Sequence, residues 1–252
     1  GGSNDSTCDF NFYVVDTPLL TGVSPSSALS GETLTLEGDF PVDVQPRVYI
    51  GHDPCTVLNS SASVITCTIP SHTTATLPVY VAFGETGFAA IPSNQLFNFT
   101  YKLALTSLDV VEGSIGGGLL VTATGSGFSS IPSQNMLTVN GYPAYIVSAN
   151  PSTLVFLTPN STRASVSATD GLAAAVKVTT QSYWYLKDYF AKDIVEANTP
   201  TGVYPLRSTQ SASLSTPFTY RVSLTPTLAS VFPLTRTSGA NSEYLRIAGS
   251  GF

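Results

Sequence analysis

One phrase is written three times along this chain, and it restricts the fold more than any other feature. Leu34-Thr-Leu-Glu-Gly38-Asp-Phe40, Val121-Thr-Ala-Thr-Gly125-Ser-Gly127-Phe128 and Leu245-Arg-Ile-Ala-Gly249-Ser-Gly251-Phe252 share one plan. Apolar residues alternate with others, and a glycine turn then delivers a phenylalanine. Alternation is the period of a half-buried strand, and glycine permits the bend that follows it. A second phrase recurs as Phe10-Asn-Phe12-Tyr13, Phe97-Asn-Phe99-Thr-Tyr101 and Phe218-Thr-Tyr220. Together the phrases predict a tandem array of β domains, an architecture that usually acts by presenting surfaces.

Their positions set the expected boundaries. Residues 1–16 read as the last strand of an upstream repeat, and 17–101 as one complete repeat. Residues 102–220 read as a second repeat carrying an insertion at about 181–215, and 221–252 as the start of a further, truncated one. Opening at Gly1-Gly-Ser and stopping in mid-phrase at Phe252, the chain reads as a piece of something longer. Within repeats, Val48-Tyr-Ile50, Val64 to Ile69 and Val79 to Phe83 are short alternating stretches punctuated by Pro and Gly. Strands at such spacing indicate a β-sandwich.

Composition excludes several functions. Only 10% of the residues are charged, the net charge is −6, and the ten Lys and Arg are scattered. A nucleic-acid partner requires a cationic stripe to displace phosphate counterions, and the sequence has none. The longest apolar runs, such as Leu77 to Phe83, fall far short of the ~20 residues of a membrane-spanning helix. Any membrane association is expected to lie in parts outside this chain. With 42% hydrophobic residues, packed cores are nonetheless expected.

Two cysteines carry a comparison. Cys55 and Cys67 stand at the positions that Ala144 and Phe156 occupy in the second repeat. Both are exchanged together, for a small and a large apolar residue. A buried bridge whose space is otherwise filled by packing explains this, and two reduced, buried cysteines are the alternative. A zinc site would need more ligands than His52 and His72 supply. A disulfide implies an oxidising, extracellular setting. Cys8 is left over, with its expected partner upstream.

The order Val23-Ser-Pro25, Ser30-Gly-Glu-Thr33, the Leu34 phrase, Cys55, Ile65-Thr-Cys67-Thr-Ile-Pro70 and Phe99-Thr-Tyr101 resembles the IPT/TIG domain. The second repeat departs from it in having Val110 where Pro25 stands and in lacking the cysteine pair. The resemblance implies an all-β chain of tandem immunoglobulin-like sandwiches. Consecutive copies with cysteines most resemble the ectodomains of fibrocystin-like and plexin-like surface proteins. That implies a non-enzymatic extracellular segment, a stiff repeat rod for cell-surface adhesion or filament assembly. Its partners would be copies of itself or other surface proteins. A ligand-binding receptor ectodomain and an accessory module of a carbohydrate-active enzyme are the alternatives.

Four Asn-X-Ser/Thr sequons occur, at Asn4, Asn59, Asn98 and Asn160. About three are expected by chance at this composition, so placement matters more than number. Asn98 alternates with Phe97 and Phe99 and should face solvent. At least two N-linked glycans are expected on an extracellular chain. The insertion holds the sole Trp, within Tyr183-Trp184-Tyr185 and Tyr189-Phe190. Leu186, Phe190 and Ile194 are spaced as on one short helix. Trp184, Tyr185, Tyr189 and Phe190 are either a lid packed on their own repeat or an aromatic contact site.

No catalytic constellation emerges. The paired acids Asp109 and Glu112 are close only in sequence, and neither histidine accompanies a nucleophile motif. Gly113 to Gly118 is glycine-rich but lacks the lysine and following helix of a phosphate cradle, and it reads as a flexible loop. No cofactor is expected, and no acidic cluster for Ca²⁺ at the repeat junctions is visible.

Overall fold

The computed structural model describes residues 17–84, 87–92, 95–161, 171–183, 207–232 and 246–251. The expected readings of Asn4, Cys8, the 1–16 strand and the Leu186–Ile194 helix lie outside these residues. So do Trp184, Tyr185, Tyr189 and Phe190. The described residues divide into two compact units, one of 17–70 with 76–100 and one of 71–75, 101–183 and 207–251. The fold is all-β, in tandem immunoglobulin-like sandwiches.

The first repeat runs β1 (Leu19–Ser24), β2 (Ser27–Ala28), β3 (Thr33–Asp39), β4 (Pro46–Ile50), β5 (Asp53–Ser60), β6 (Val64–Thr68), β7 (Thr76–Phe83), β8 (Gly87–Phe88) and β9 (Asn98–Tyr101). Its strands are ordered β1-β3-β6-β5-β4-β7-β9-β2, with β8 added to β7. β5 belongs to both layers. Asp53 to Cys55 pair with β4, whereas Thr56 to Ser60 pair with β6. Alternation has the expected result, since Leu34, Leu36, Val48, Ile50, Val79 and Val81 are all buried.

The second repeat comprises β10 (Ala104–Leu108), β11 (Glu112–Ser114), β12 (Leu120–Ser126), β13 (Asn135–Val139), β14 (Tyr142–Pro143), β15 (Tyr145–Asn150), β16 (Thr153–Leu157), β17 (Leu172–Ala174), β18 (Val176–Tyr183), β19 (Arg207–Ser213) and β20 (Phe218–Arg221). A one-turn 3-10 helix at Pro132–Gln134 precedes β13. β10-β12-β16-β15 form one sheet and β14-β13-β18-β19 another, while β11-β20-β17 close the sandwich. Val121, Leu137, Phe156, Val178, Phe218 and Tyr220 share one core. A last hairpin, β21 (Thr227–Phe232) with β22 (Arg246–Ser250), carries the third copy of the phrase.

Both flanks of the insertion are strand. β19 pairs with β18 in continuous register from Lys177↔Ser213 to Tyr183↔Arg207. The β7–β8 pairing of the first repeat, two residue pairs long, thus has a seven-pair counterpart in β18–β19.

The repeated glycine has a different purpose from the bend expected of it. Gly38, Gly125 and Gly249 pair with Leu20, Leu105 and Leu228, and in each case the ladder shifts register just beyond. A Cβ on Gly38 would collide with the Leu19 carbonyl oxygen and the Phe40 ring. On Gly125 it would collide with the Ala104 carbonyl oxygen and the Phe128 ring. The phenylalanine folds back across its own glycine, beside a β-bulge. Positive φ is needed only one turn later, at Gly127 (83°) and Gly251 (82°).

Candidate functional site

Cys55 lies at the point where β5 changes layers, opposite Val48. Cys67 lies in β6 between Leu34 and Val57. Their sulfurs are bonded, with a Cα–Cα distance of 5.7 Å. Cys67 is fully buried and Cys55 is 5% exposed. In the second repeat Phe156 fills the core at the Cys67 position, with Ala144 packed against it. The Ala144 N–H donates to Leu137, reproducing the Val48 and Cys55 pairing. One architecture thus has a covalent cross-link in one copy and a large side chain in the next.

Of the sequon asparagines that the structure describes, Asn59, Asn98 and Asn160 are all exposed. Asn98 stands on β9 opposite Pro78, beside a fully buried Phe99. Asn59 accepts the Ser60 N–H at its Oδ1. Beside Asn160, the Ser161 N–H donates to Ile115.

The glycine-rich segment is a fixed element rather than a flexible loop. The Ile115 N–H donates to Thr225 Oγ1, the Gly116 N–H to Ser114 Oγ, and the Gly117 N–H to the Ser114 carbonyl. The Gly118 and Leu119 N–H groups both donate to Thr158. A phosphate cradle requires free N–H groups pointing at the ligand. Here each is already bonded: Gly118 and Leu119 tie the segment to Thr158, Ile115 ties it to Thr225, and Gly116 and Gly117 close on Ser114. No group of three or more His, Cys, Asp or Glu is placed to hold a metal ion among the described residues. Among the same residues, no helix is long and apolar enough to cross a membrane.

Several structural polar groups escape sequence reading. Asn135 is 6% exposed and makes four hydrogen bonds. Its Oδ1 accepts the Ser129 N–H and the Thr180 hydroxyl, and its Nδ2 donates to the Ser129 and Ile131 carbonyls. The Gln210 side chain accepts the Leu103 N–H and donates to the Tyr101 carbonyl. Arg221 and Glu112 pair at 2.6 Å across the parallel β11–β20 ladder.

A concave surface of about 360 Å³ lies on the outer face of the first repeat. Arg47, Tyr49, His52, Ala82 and Phe88 line it. The sequence alone offers His52 only as an insufficient zinc ligand and gives no weight to Arg47 or Phe88.

These features define a tandem array of immunoglobulin-like β-sandwiches with an internal disulfide. Residues 18–101 and 104–189 match the IPT/TIG domain, more than half of the chain, and the chain belongs to that family. Human fibrocystin-L is 28% identical over 247 residues, covering 96% of this chain and 5% of the relative. Plexin-2 of Caenorhabditis briggsae is 28% identical over 163 residues, covering 62% of this chain and 9% of the relative. The chain thus spans less than a tenth of either relative. Among solved structures, the plexin A4 full extracellular region covers 86% of this chain and 16% of its own, at 20% identity and a TM-score of 0.32.

Proposed function

We propose that the chain is a non-enzymatic segment of a large extracellular glycoprotein, a stiff rod of repeats that serves adhesion or filament assembly. The brevity of the connector carries the reading. Only Lys102 and Leu103 separate β9 from β10. A connector of two residues leaves little freedom to successive sandwiches, unlike a flexible linker. Membership of the IPT/TIG family and the match to fibrocystin-L along nearly the whole chain support the extracellular setting. The disulfide agrees with an oxidising compartment.

Partners on this reading are copies of the chain or other surface proteins, and glycans at Asn59, Asn98 and Asn160 would keep part of the surface free of contacts. Small-angle scattering on the full chain tests the rod. A pair-distance distribution with the long linear decay of a stiff cylinder is expected. A Kratky profile of freely jointed beads overturns it. Concentration-dependent light scattering then separates filament assembly from a monomeric spacer.

A second reading, a ligand-binding receptor ectodomain, is favoured by the similarity to plexin-2. On that reading Trp184, Tyr185, Tyr189 and Phe190 contact the ligand. Alanine at Trp184 and Tyr185 then abolishes partner capture, whereas a spacer is indifferent to both changes.

A further inference from the structure

The first repeat carries a single Lys or Arg between Thr17 and Tyr101, against six Asp and Glu. That residue is Arg47, and it makes no ion pair among the described residues. It is exposed on the outer face of β4 and lines the concave surface described above.

Register explains the concavity. Arg47 stands directly opposite Ala82 on β7, and Ala82 stands directly opposite Phe88 on β8. Directly paired residues project to the same face of a sheet. Three adjacent strands therefore present a cation, a methyl group and a phenyl ring in one row. Neighbouring strands lie ~4.8 Å apart, so Arg47 and Phe88 rise roughly 10 Å from one another with only Ala82 between them. That gap is wide enough for one six-membered ring. The adjoining row is Tyr49 opposite Tyr80. Tyr80 meets Phe88 edge to face with ring centroids 6.0 Å apart, which steadies the phenyl ring although Phe88 is 44% exposed. His52, on the turn after β4, completes the rim with a ring nitrogen.

We propose that this surface binds a carboxylate-bearing pyranose, the acidic sugar of a glycan. The Arg47 guanidinium is a planar fork of donors that matches a carboxylate bidentately. The electron-rich face of an aromatic ring attracts the polarised C–H groups on a sugar's apolar face, a role that falls to Phe88. Tyr49 and His52 bring a hydroxyl and an imidazole to the hydroxyl groups of the ring. Ala82 is the floor. At about 360 Å³ the surface is at the small end of ligand sites and suits one or two sugar rings. An extended acidic peptide would leave most of its length outside it. The site is independent of the rod reading, because it lies wholly within one repeat.

Ligand-observed and protein-observed NMR titrations of the full chain test the proposal. The probes are a glucuronate-containing tetrasaccharide and 3′-sialyllactose, with lactose and tetraglutamate as neutral and peptide controls. Saturable binding of at least one acidic sugar is expected, with Kd on the order of 1 mM. The stronger of the two acidic probes identifies uronates or sialates as the source. Arg47→Met and Phe88→Ala each weaken it at least tenfold, and Ala82→Leu, which fills the floor while leaving both walls, abolishes it. Spectra of all three variants away from the site stay superimposable on those of the parent. Equal binding of lactose, unchanged affinity in Arg47→Met, or no saturation by either acidic sugar at 20-fold the expected Kd overturns the proposal. Arg47-dependent binding of tetraglutamate in place of sugar overturns it as well, in favour of an acidic peptide.

Discussion

The Tyr220 hydroxyl donates a 2.7 Å hydrogen bond to the carbonyl oxygen of Pro159, joining the closing strand of the second sandwich to the segment that leaves β16. The Tyr220 ring is 1% exposed and meets Phe218 edge to face at 5.1 Å. In the sequence Phe218-Thr-Tyr220 is a recurring phrase; in β20 Phe218 and Tyr220 share the buried face, and the Tyr220 hydroxyl ties that face to Pro159.

Tyr220→Phe keeps the ring and removes the bond, leaving the Pro159 carbonyl without this donor. Unfolding by urea should show a loss of about 1–2 kcal/mol. Burial also pushes the Tyr220 phenol up to about 12, from 10.0. The folded state therefore favours the protonated phenol. Its contribution is complete below pH 10, and it is lost as pH rises from there through the folded value. A urea midpoint followed from pH 8 to 12 should fall above pH 10, and Tyr220→Phe should flatten part of that fall.

Gly125→Ala should be among the most damaging of small substitutions. Its Cβ has nowhere to go between the Ala104 carbonyl oxygen and the Phe128 ring. A loss of roughly 2–4 kcal/mol is expected, read as a drop in the denaturation midpoint. Gly84→Ala is the control. It meets only the Val44 side chain at 3.9 Å and should leave the midpoint almost unchanged.

Reduction of the Cys55–Cys67 bond should destabilise the first repeat by about 3 kcal/mol in the chain-entropy model. Calorimetry with and without reductant should show one transition moving down while another stays. The second repeat has no cysteine to lose, so movement of every transition would contradict independent folding of the two sandwiches.

Asn135→Leu strips four hydrogen bonds from the segment between Phe128 and β13 and leaves the Thr180 hydroxyl and the Ser129 amide without that acceptor. The expected cost is about 2–4 kcal/mol. Hydrogen exchange should place the loss locally, with faster exchange of the Ser129 amide well below global unfolding.

The fold was legible because its signal is written repeatedly. Leu34 and Leu36, or Val121 and Ala123, alternate with more exposed neighbours as a half-buried strand must. Equivalent positions could also be compared between copies, so Cys55 and Cys67 stood out against Ala144 and Phe156. What was not legible depends on register. Nothing in Arg207 to Ser213 alternates apolar with polar, so β19 reads as insertion until its pairing with β18 is seen. Arg47, Ala82 and Phe88 are 35 and 6 residues apart along the chain and become neighbours only through two ladders. Gly125 was read as a bend because a sequence reveals a glycine's freedom more readily than the ring that will lie on it. Asn135 carries no signal in the sequence, since its four hydrogen bonds go to Ser129, Ile131 and Thr180.

The parallel β11–β20 ladder fixes an order of events during synthesis. Glu112 and Arg221 are 109 residues apart, and their ion pair lies on a ladder that also brings Gly113 against Tyr220. At ~5–20 residues per second, a ribosome takes roughly 5–20 seconds to make the intervening chain. Throughout that interval the second sandwich lacks its closing strand, whereas the first is already complete at Tyr101. Each added residue between β18 and β19 prolongs the interval. The aromatic insertion therefore sets a timing for its own repeat, one that ribosome-stalled chains ending before and after Arg221 should reveal as a step in protease resistance.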